Sequence, residues 1–215
     1  MQSIPQKARI FLLWMAPGLC LPLGGCHAMP GPKYFNQEAA RPGSKAAQVV
    51  DALQIKPGTH IADLGAGGGH FSILLAQATG TQGLVYAIDV RPDFLRYIHN
   101  EAEQRKLSNI KTVLATAEHS GLTSQSVDLI FSRNVYHHIG NRTSYFRELK
   151  TALRPGGRLV IIDHSPGAST APHGHSTDPA LIEQELKKAG FTRLRSLELL
   201  QPNQSFQIFQ ATSSG

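Results

Sequence analysis

Apolar positions follow two alternating rhythms along this chain. Short, nearly continuous apolar runs at 59–64, 84–90, 110–115, 127–132 and 158–163 have the length and bounded character of buried strands. Between them the spacing turns helical. Ala47, Val49, Val50 and Leu53 line one face of 44–55, and Lys56-Pro57-Gly58 stops that helix. Further helices are predicted over 71–78, from Pro92 to about Lys106, from Asn141 or Thr143 through Leu153, and from Pro179 to Ala189, where Gly190 supplies the stop. Two last strands, 192–200 and 205–211, join through Gln201-Pro202-Asn203-Gln204 as an antiparallel pair. Five strand–helix units ending in a hairpin predict an α/β fold, an open and mainly parallel sheet with helices on both faces. No repeat and no second domain are visible.

The first residues have a different grammar. Lys7 and Arg9 precede an uncharged apolar run from Ile10 to Leu23, and Leu23-Gly24-Gly25-Cys26 follows. This is the layout of a secretory signal. The run is shorter than the roughly 20 residues of a spanning helix, and Pro17 and Pro22 interrupt it. Its ending resembles a bacterial lipobox, which implies a lipidated Cys26 as the first mature residue. His27 after it implies outer-membrane sorting, with the chain facing the periplasm. An uncleaved leader on the cytoplasmic side is the other outcome. Residues 1–25 thus read as a lipoprotein-type signal peptide. Residues 26–43, broken by Pro and Gly, read as a tether or flap with Tyr34 and Phe35 as docking points. Residues 44–215 form the domain.

Composition narrows the chemistry. Cys20 and Cys26 are the only cysteines, so the domain holds no disulfide, thiol nucleophile or Cys-ligated zinc. The net charge is +6, from 21 basic and 15 acidic residues, but the basic residues are scattered. They predict a solvated surface rather than a nucleic-acid face. The long Ser165–Asp178 connection contains His173-Gly174-His175. Two histidines with no companion Cys or paired acids do not amount to a metal site, and none is expected.

In sheets of this kind ligands bind beyond the carboxyl ends of the strands. The first strand runs into Asp63-Leu64-Gly65-Ala66-Gly67-Gly68-Gly69-His70, where glycines allow a tight turn and a close ligand approach. Asp89 ends the second strand, 24 positions after Gly65, a spacing that suits a carboxylate accepting from ribose hydroxyls. A dinucleotide G-x-G-x-x-G would need glycine where His70 stands, and no Lys-Ser/Thr pair follows to make a P-loop.

These blocks resemble the class I S-adenosylmethionine-dependent methyltransferases over roughly Ala46 to Ala211. Asp63 to Gly69 is similar to their D/E-x-G-x-G-x-G motif, and Asp89 falls on their ribose-binding acid. Ala117-Glu118 follows the third strand where adenine is held. Val127-Asp128-Leu129-Ile130-Phe131 with Ser132-Arg133-Asn134 resembles the fourth strand and its catalytic end, and Leu153-Arg154-Pro155-Gly156-Gly157 the turn before the fifth. The tail and leader resemble exported or lipoprotein-like members. The resemblance implies a Rossmann-like doubly wound sheet and S-adenosyl-L-methionine as cofactor, contacted by Asp63, Gly65, Ala66, Gly67, Gly69, Asp89, Ala117, Glu118 and Asn134. It also implies methyl transfer by in-line displacement to a small-molecule or lipid-associated acceptor, with the lipid anchor tying the chain to the membrane.

His137 and His138, past the fourth strand, and His164, at the end of the fifth, are the candidate catalytic bases, since a neutral imidazole takes a proton near pH 7. No Asn-Pro-Pro-Tyr follows the fourth strand, which argues against methylation of nucleic-acid bases, and the Cys-free core argues against arsenite. Two other readings stand beside the enzyme. One is a non-catalytic envelope lipoprotein that keeps the fold for binding; the other is a nicotinamide-dependent oxidoreductase, which His70 disfavours.

Overall fold

The computed structural model describes residues 30–168 and 175–212. The leader, Cys26 and His173 lie outside the described residues. The chain runs α1 (Pro32–Ala40), α2 (Ala46–Ala52), β1 (His60–Leu64), α3 (His70–Thr79), β2 (Leu84–Asp89), α4 (Pro92–Gln104), β3 (Ile110–Leu114), β4 (Val127–Arg133), α5 (Arg142–Leu149), β5 (Leu153–His164), α6 (Pro179–Ala189), β6 (Phe191–Ser196) and β7 (Gln204–Ala211). One seven-stranded sheet has the order β3-β2-β1-β4-β5-β7-β6. The first five strands are parallel, and β7 runs antiparallel between β5 and β6. The order reverses between β1 and β4, so the crevice for a ligand opens where those two strands end.

Alternation along the central strands sorts the core into two layers. Leu129 and Phe131 of β4 and Val160 and Ile162 of β5 face Val49, Leu53, Phe71 and Leu75 of α2 and α3. Ile130, Leu159 and Ile161 face the other way, onto Phe146 and Leu149 of α5 and Ile182 and Leu186 of α6. This two-sided burial explains why the strands read as unbroken apolar runs.

Three expectations change. The helix expected through Leu153 ends at Leu149, a 3-10 turn spans Lys150–Ala152, and β5 starts at Leu153. Leu153 pairs with Val127 and Arg158 with Leu129, so Arg154–Gly157 bulges out of the ladder. No helix follows β3: residues 115–126 are mostly Ser, Thr, Gly and other short or polar residues, which favour turns over helix. The strand expected over 192–200 stops at Ser196. Residues 32–40, expected within a tether or flap, form a helix opened by Pro32 after Gly31.

Asp63, near the end of β1, is 3% exposed and accepts one side-chain bond, from Ser72 Oγ of α3 at 2.6 Å. Burial pushes its carboxyl up to about 7, which that hydrogen bond only partly opposes. Between the ordinary carboxylate range and that value the folded chain keeps a proton that the unfolded chain has lost. Asp63 therefore removes stability as pH rises toward 7, and its effect levels off above. Asp63→Asn should gain on the wild type across this window. In ligand-free melts its Tm relative to wild type should rise by about 2–4 °C per kcal/mol between pH 5 and pH 8. An identical difference at both pH values would refute the assignment.

Candidate active site

The glycine turn after β1 is built from backbone that side chains cannot share. Gly65, Gly67 and Gly69 have φ of +73°, +56° and +80°, and Gly69 caps α3 in that left-handed state. A Cβ on Gly65 would stand 2.2 Å from Val135 Cγ2, so the turn after β1 and the segment after β4 meet at the point of strand reversal. The N–H groups of Gly65 and Ala66 donate to Ile88 O at 2.8 and 2.9 Å. Gly67 N–H donates to Asp89 Oδ2 at 2.9 Å, and Arg91 N–H to Asp89 Oδ1 at 3.0 Å. Burial raises the Asp89 carboxyl while these backbone donors counter it. A carboxylate has about four lone-pair sites, so Asp89 keeps capacity for a hydroxyl beside its backbone donors.

Helix α1 lies across this turn. A Cβ on Gly68 would stand 2.3 Å from Pro32 O and 2.4 Å from Asn36 N, so the helix backbone rests on the glycine. The Phe35 ring packs 5.5 Å from that of Phe94, and Arg91, stacked 4.0 Å over Phe94, donates to Pro30 O at 3.2 Å. Phe35 makes the docking contact expected of it. Tyr34 stands edge-on to Phe35 and is half exposed.

The other expected cofactor residues divide. Ala117 and Glu118 sit exposed in the turn after β3, where Thr116 Oγ1 accepts from the Glu118 N–H at 3.2 Å; among the described residues nothing engages the Glu118 carboxylate. Asn134 closes β4 with φ +57°, and its Oδ1 accepts from Gln204 Nε2 of β7. Gln204 Oε1 also accepts from Arg133 at 2.7 Å. Among the described residues Arg133 has no carboxylate partner: it donates to Ser44 O at 2.9 Å and lies 5.0 Å over the Phe71 ring, and burial draws it down to about 10.

The histidines after β4 and β5 are brought together. A 3-10 turn holds Tyr136–His138, anchored by Tyr136, which stacks on Phe146 at 5.2 Å and donates to Glu185 at 2.8 Å. Tyr136 is thus a fully buried packing residue. His137 Nδ1 donates to Asp163 Oδ1 at 2.7 Å, with the two side chains 5% and 0% exposed. Thr177 Oγ1 donates to Asp163 Oδ2 at 3.0 Å. On the far side of the ring, His137 Nε2 lies 3.0 Å from His138 Nε2 and 3.3 Å from His175 Nδ1. Burial, and then the His137 and His175 charges, pull His138 below the usual imidazole range. His164 stands apart from this group, 6.4 Å ring to ring from His137, and its Nδ1 is buried without a partner among the described residues. Burial also lowers its pKa.

Sequence reading missed Asp163, Thr177 and Gln204, and did not join His175 to His137 and His138. The only signal was a polar residue closing a strand that is otherwise apolar. Among the described residues no helix is long and apolar enough to cross a membrane.

The chain matches the family model for a methyltransferase domain over residues 55–207. It is 32% identical over 151 residues to a malonyl-[acyl-carrier protein] O-methyltransferase of Methylococcus capsulatus, covering 65% of this chain and 54% of that protein. It is 27% identical to aklanonic acid methyltransferase DauC of a Streptomyces, over 65% and 63% of the two chains. An arsenite methyltransferase of Halobacterium salinarum is 29% identical over 50% of this chain and 27% of its own. The chain therefore spans less than two thirds of each of these relatives. Among solved structures, a SAM-dependent methyltransferase from Aquifex aeolicus superposes with a TM-score of 0.76 at 22% identity, covering 86% of this chain and all of that one. A possible exported protein from Bordetella parapertussis superposes at 0.70 and 16% identity, over 86% and 80%. With its glycine turn, its strand order and a family match over more than two thirds of its length, the chain belongs to the methyltransferase-domain family, a Rossmann-like fold with S-adenosyl-L-methionine as cofactor.

Proposed function

We propose that this chain transfers a methyl group from S-adenosyl-L-methionine to a small-molecule or lipid-associated acceptor. The observation that carries the reading is the junction of Asp89 with the glycine turn. A half-buried carboxylate with spare acceptor capacity stands beside a glycine backbone that carries no side chains of its own, and this suits a ribose diol next to a ligand that approaches the main chain. When bound, the cofactor supplies a methyl group already activated by its sulfonium. The protein's task is then mainly alignment, for which effective molarities of about 10⁵–10⁸ M are available.

Asp89 and Gly65 to Gly69 hold the cofactor, and Asn134, fixed by Gln204, lines the junction between the cofactor and acceptor sides. His137 and His138 handle the acceptor's proton, with Asp163 fixing the His137 tautomer so that Nε2 presents the lone pair. His164, with an unpartnered ring nitrogen, is the third candidate. An oxygen acid or hydroxyl fits this set better than arsenite, since Cys20 and Cys26 both precede the domain. The names of the malonyl-carrier and aklanonic acid relatives point the same way. The leader supports attachment to the cell envelope through Cys26, which would bring membrane-associated acceptors within reach.

Calorimetric titration of the full chain with S-adenosylmethionine and S-adenosylhomocysteine tests the cofactor reading. Micromolar binding is expected, weakened at least tenfold in Asp89→Ala. A folded chain that binds neither would favour the binding lipoprotein instead. For the anchor, cells fed labelled palmitate should label the wild type and leave Cys26→Ala unlabelled; equal label in both would reject lipidation.

A further inference from the structure

We propose that His137, His138 and His175 form a binding site for a divalent transition-metal ion, with Asp163 as the carboxylate that orients it. The inference goes beyond the methyl-transfer reading and does not depend on it; where the ion is bound it occupies the lone pairs of His137 and His138, and the acceptor's proton then falls to His164.

The argument starts from the count of protons and lone pairs. A carboxylate only accepts, so His137 Nδ1 carries the hydrogen that it gives to Asp163. The neutral ring then has a single in-plane lone pair, on Nε2. Two nitrogens crowd that lone pair, His138 Nε2 at 3.0 Å and His175 Nδ1 at 3.3 Å. One lone pair takes one hydrogen bond, so at least one of the two contacts has no balanced partner. Protonating His137 reverses the problem, with one N–H between two acceptors. A cation set among the three resolves it, because each imidazole then contributes one lone pair.

The spacing agrees. Metal–nitrogen bonds of about 2.0–2.1 Å at tetrahedral angles put neighbouring ligand nitrogens about 3.3 Å apart. The two recorded separations are 3.0 and 3.3 Å, and all three nitrogens lie within 4.8 Å of one another. The Asp163–His137 bond is the outer-sphere contact that metal-bound histidines make, fixing the tautomer and raising ring basicity. Asp163 is itself locked by Thr177.

Three elements converge here. The 3-10 turn after β4 brings two histidines, β5 brings the carboxylate, and the segment before α6 brings His175 and Thr177. Three neutral nitrogen donors select zinc, cobalt, nickel, iron or copper over magnesium or calcium, which prefer oxygen. Among the described residues the set supplies three protein ligands, which leaves a coordination position for water or an oxygen of a bound molecule.

The test uses the full chain without a histidine tag, stripped with chelator and titrated with Co²⁺, then Zn²⁺ in competition. One equivalent of Co²⁺ should bind with visible bands of four- or five-coordinate cobalt, and Zn²⁺ should displace it. His138→Ala and His175→Ala should each weaken binding at least tenfold, and Asp163→Asn by about 10–100-fold. His99→Ala, at an exposed histidine of α4, should leave it unchanged. Circular dichroism confirms the fold of each variant, and Gln replaces Ala at any position where Ala unfolds the chain. Absence of stoichiometric cobalt binding by the folded wild type would overturn the site, as would binding that survives loss of both His138 and His175. Because the titration contains no S-adenosylmethionine, neither result bears on the cofactor reading.

Discussion

A carboxylate with no solvent exposure near the middle of a seven-stranded sheet must be matched by donors, since an unpaired buried charge costs several kcal/mol. Asp163 is that group, and its donors come from distant parts of the chain. His137 belongs to the turn after β4 and Thr177 to the segment entering α6. The order of the strand ends on this side, and the meeting of His137 with His138 and His175, follow from meeting the needs of one side chain.

Asp89 makes a contrast at the end of β2. Burial shifts its carboxyl upward, and its fixed donors are backbone N–H groups, with Gly67 and Arg91 on different oxygens, which leaves room for more. The strand reversal between β1 and β4 places Gly65 against Val135 between these two regions. One carboxylate is available to an incoming ligand and the other is spent on holding protein. This asymmetry gives the crevice a ligand-accepting side and a side that orients imidazoles. The two acids share a residue type and a strand-end position, and only their partners separate their roles.

Legibility in the sequence divides along the same physical line. Strands and helices buried on two faces were readable, because each residue's burial repeats with a local period. The glycine turn and Asp89 were readable because their spacing is short and their backbone demands are specific. Where a residue's role is set by a partner far along the chain, local pattern carries no trace of it. Asp163 looks like the polar end of an apolar strand, yet its donors sit 26 and 14 positions away. Gln204 looks like a turn residue, yet it fixes Asn134 from 70 positions away.

Gly68 shows how far backbone packing alone can specify a site. Unlike its neighbours it has no left-handed φ, so its own conformation does not require glycine. What requires it is the approach of α1, whose backbone would meet any Cβ within 2.3 Å. Helix α1 buries no residue of its own and is held by one aromatic contact and a few hydrogen bonds. An element with so little buried area opens at lower cost than the sheet beneath it. The cover over the glycine turn is therefore held less strongly than the sheet beneath it.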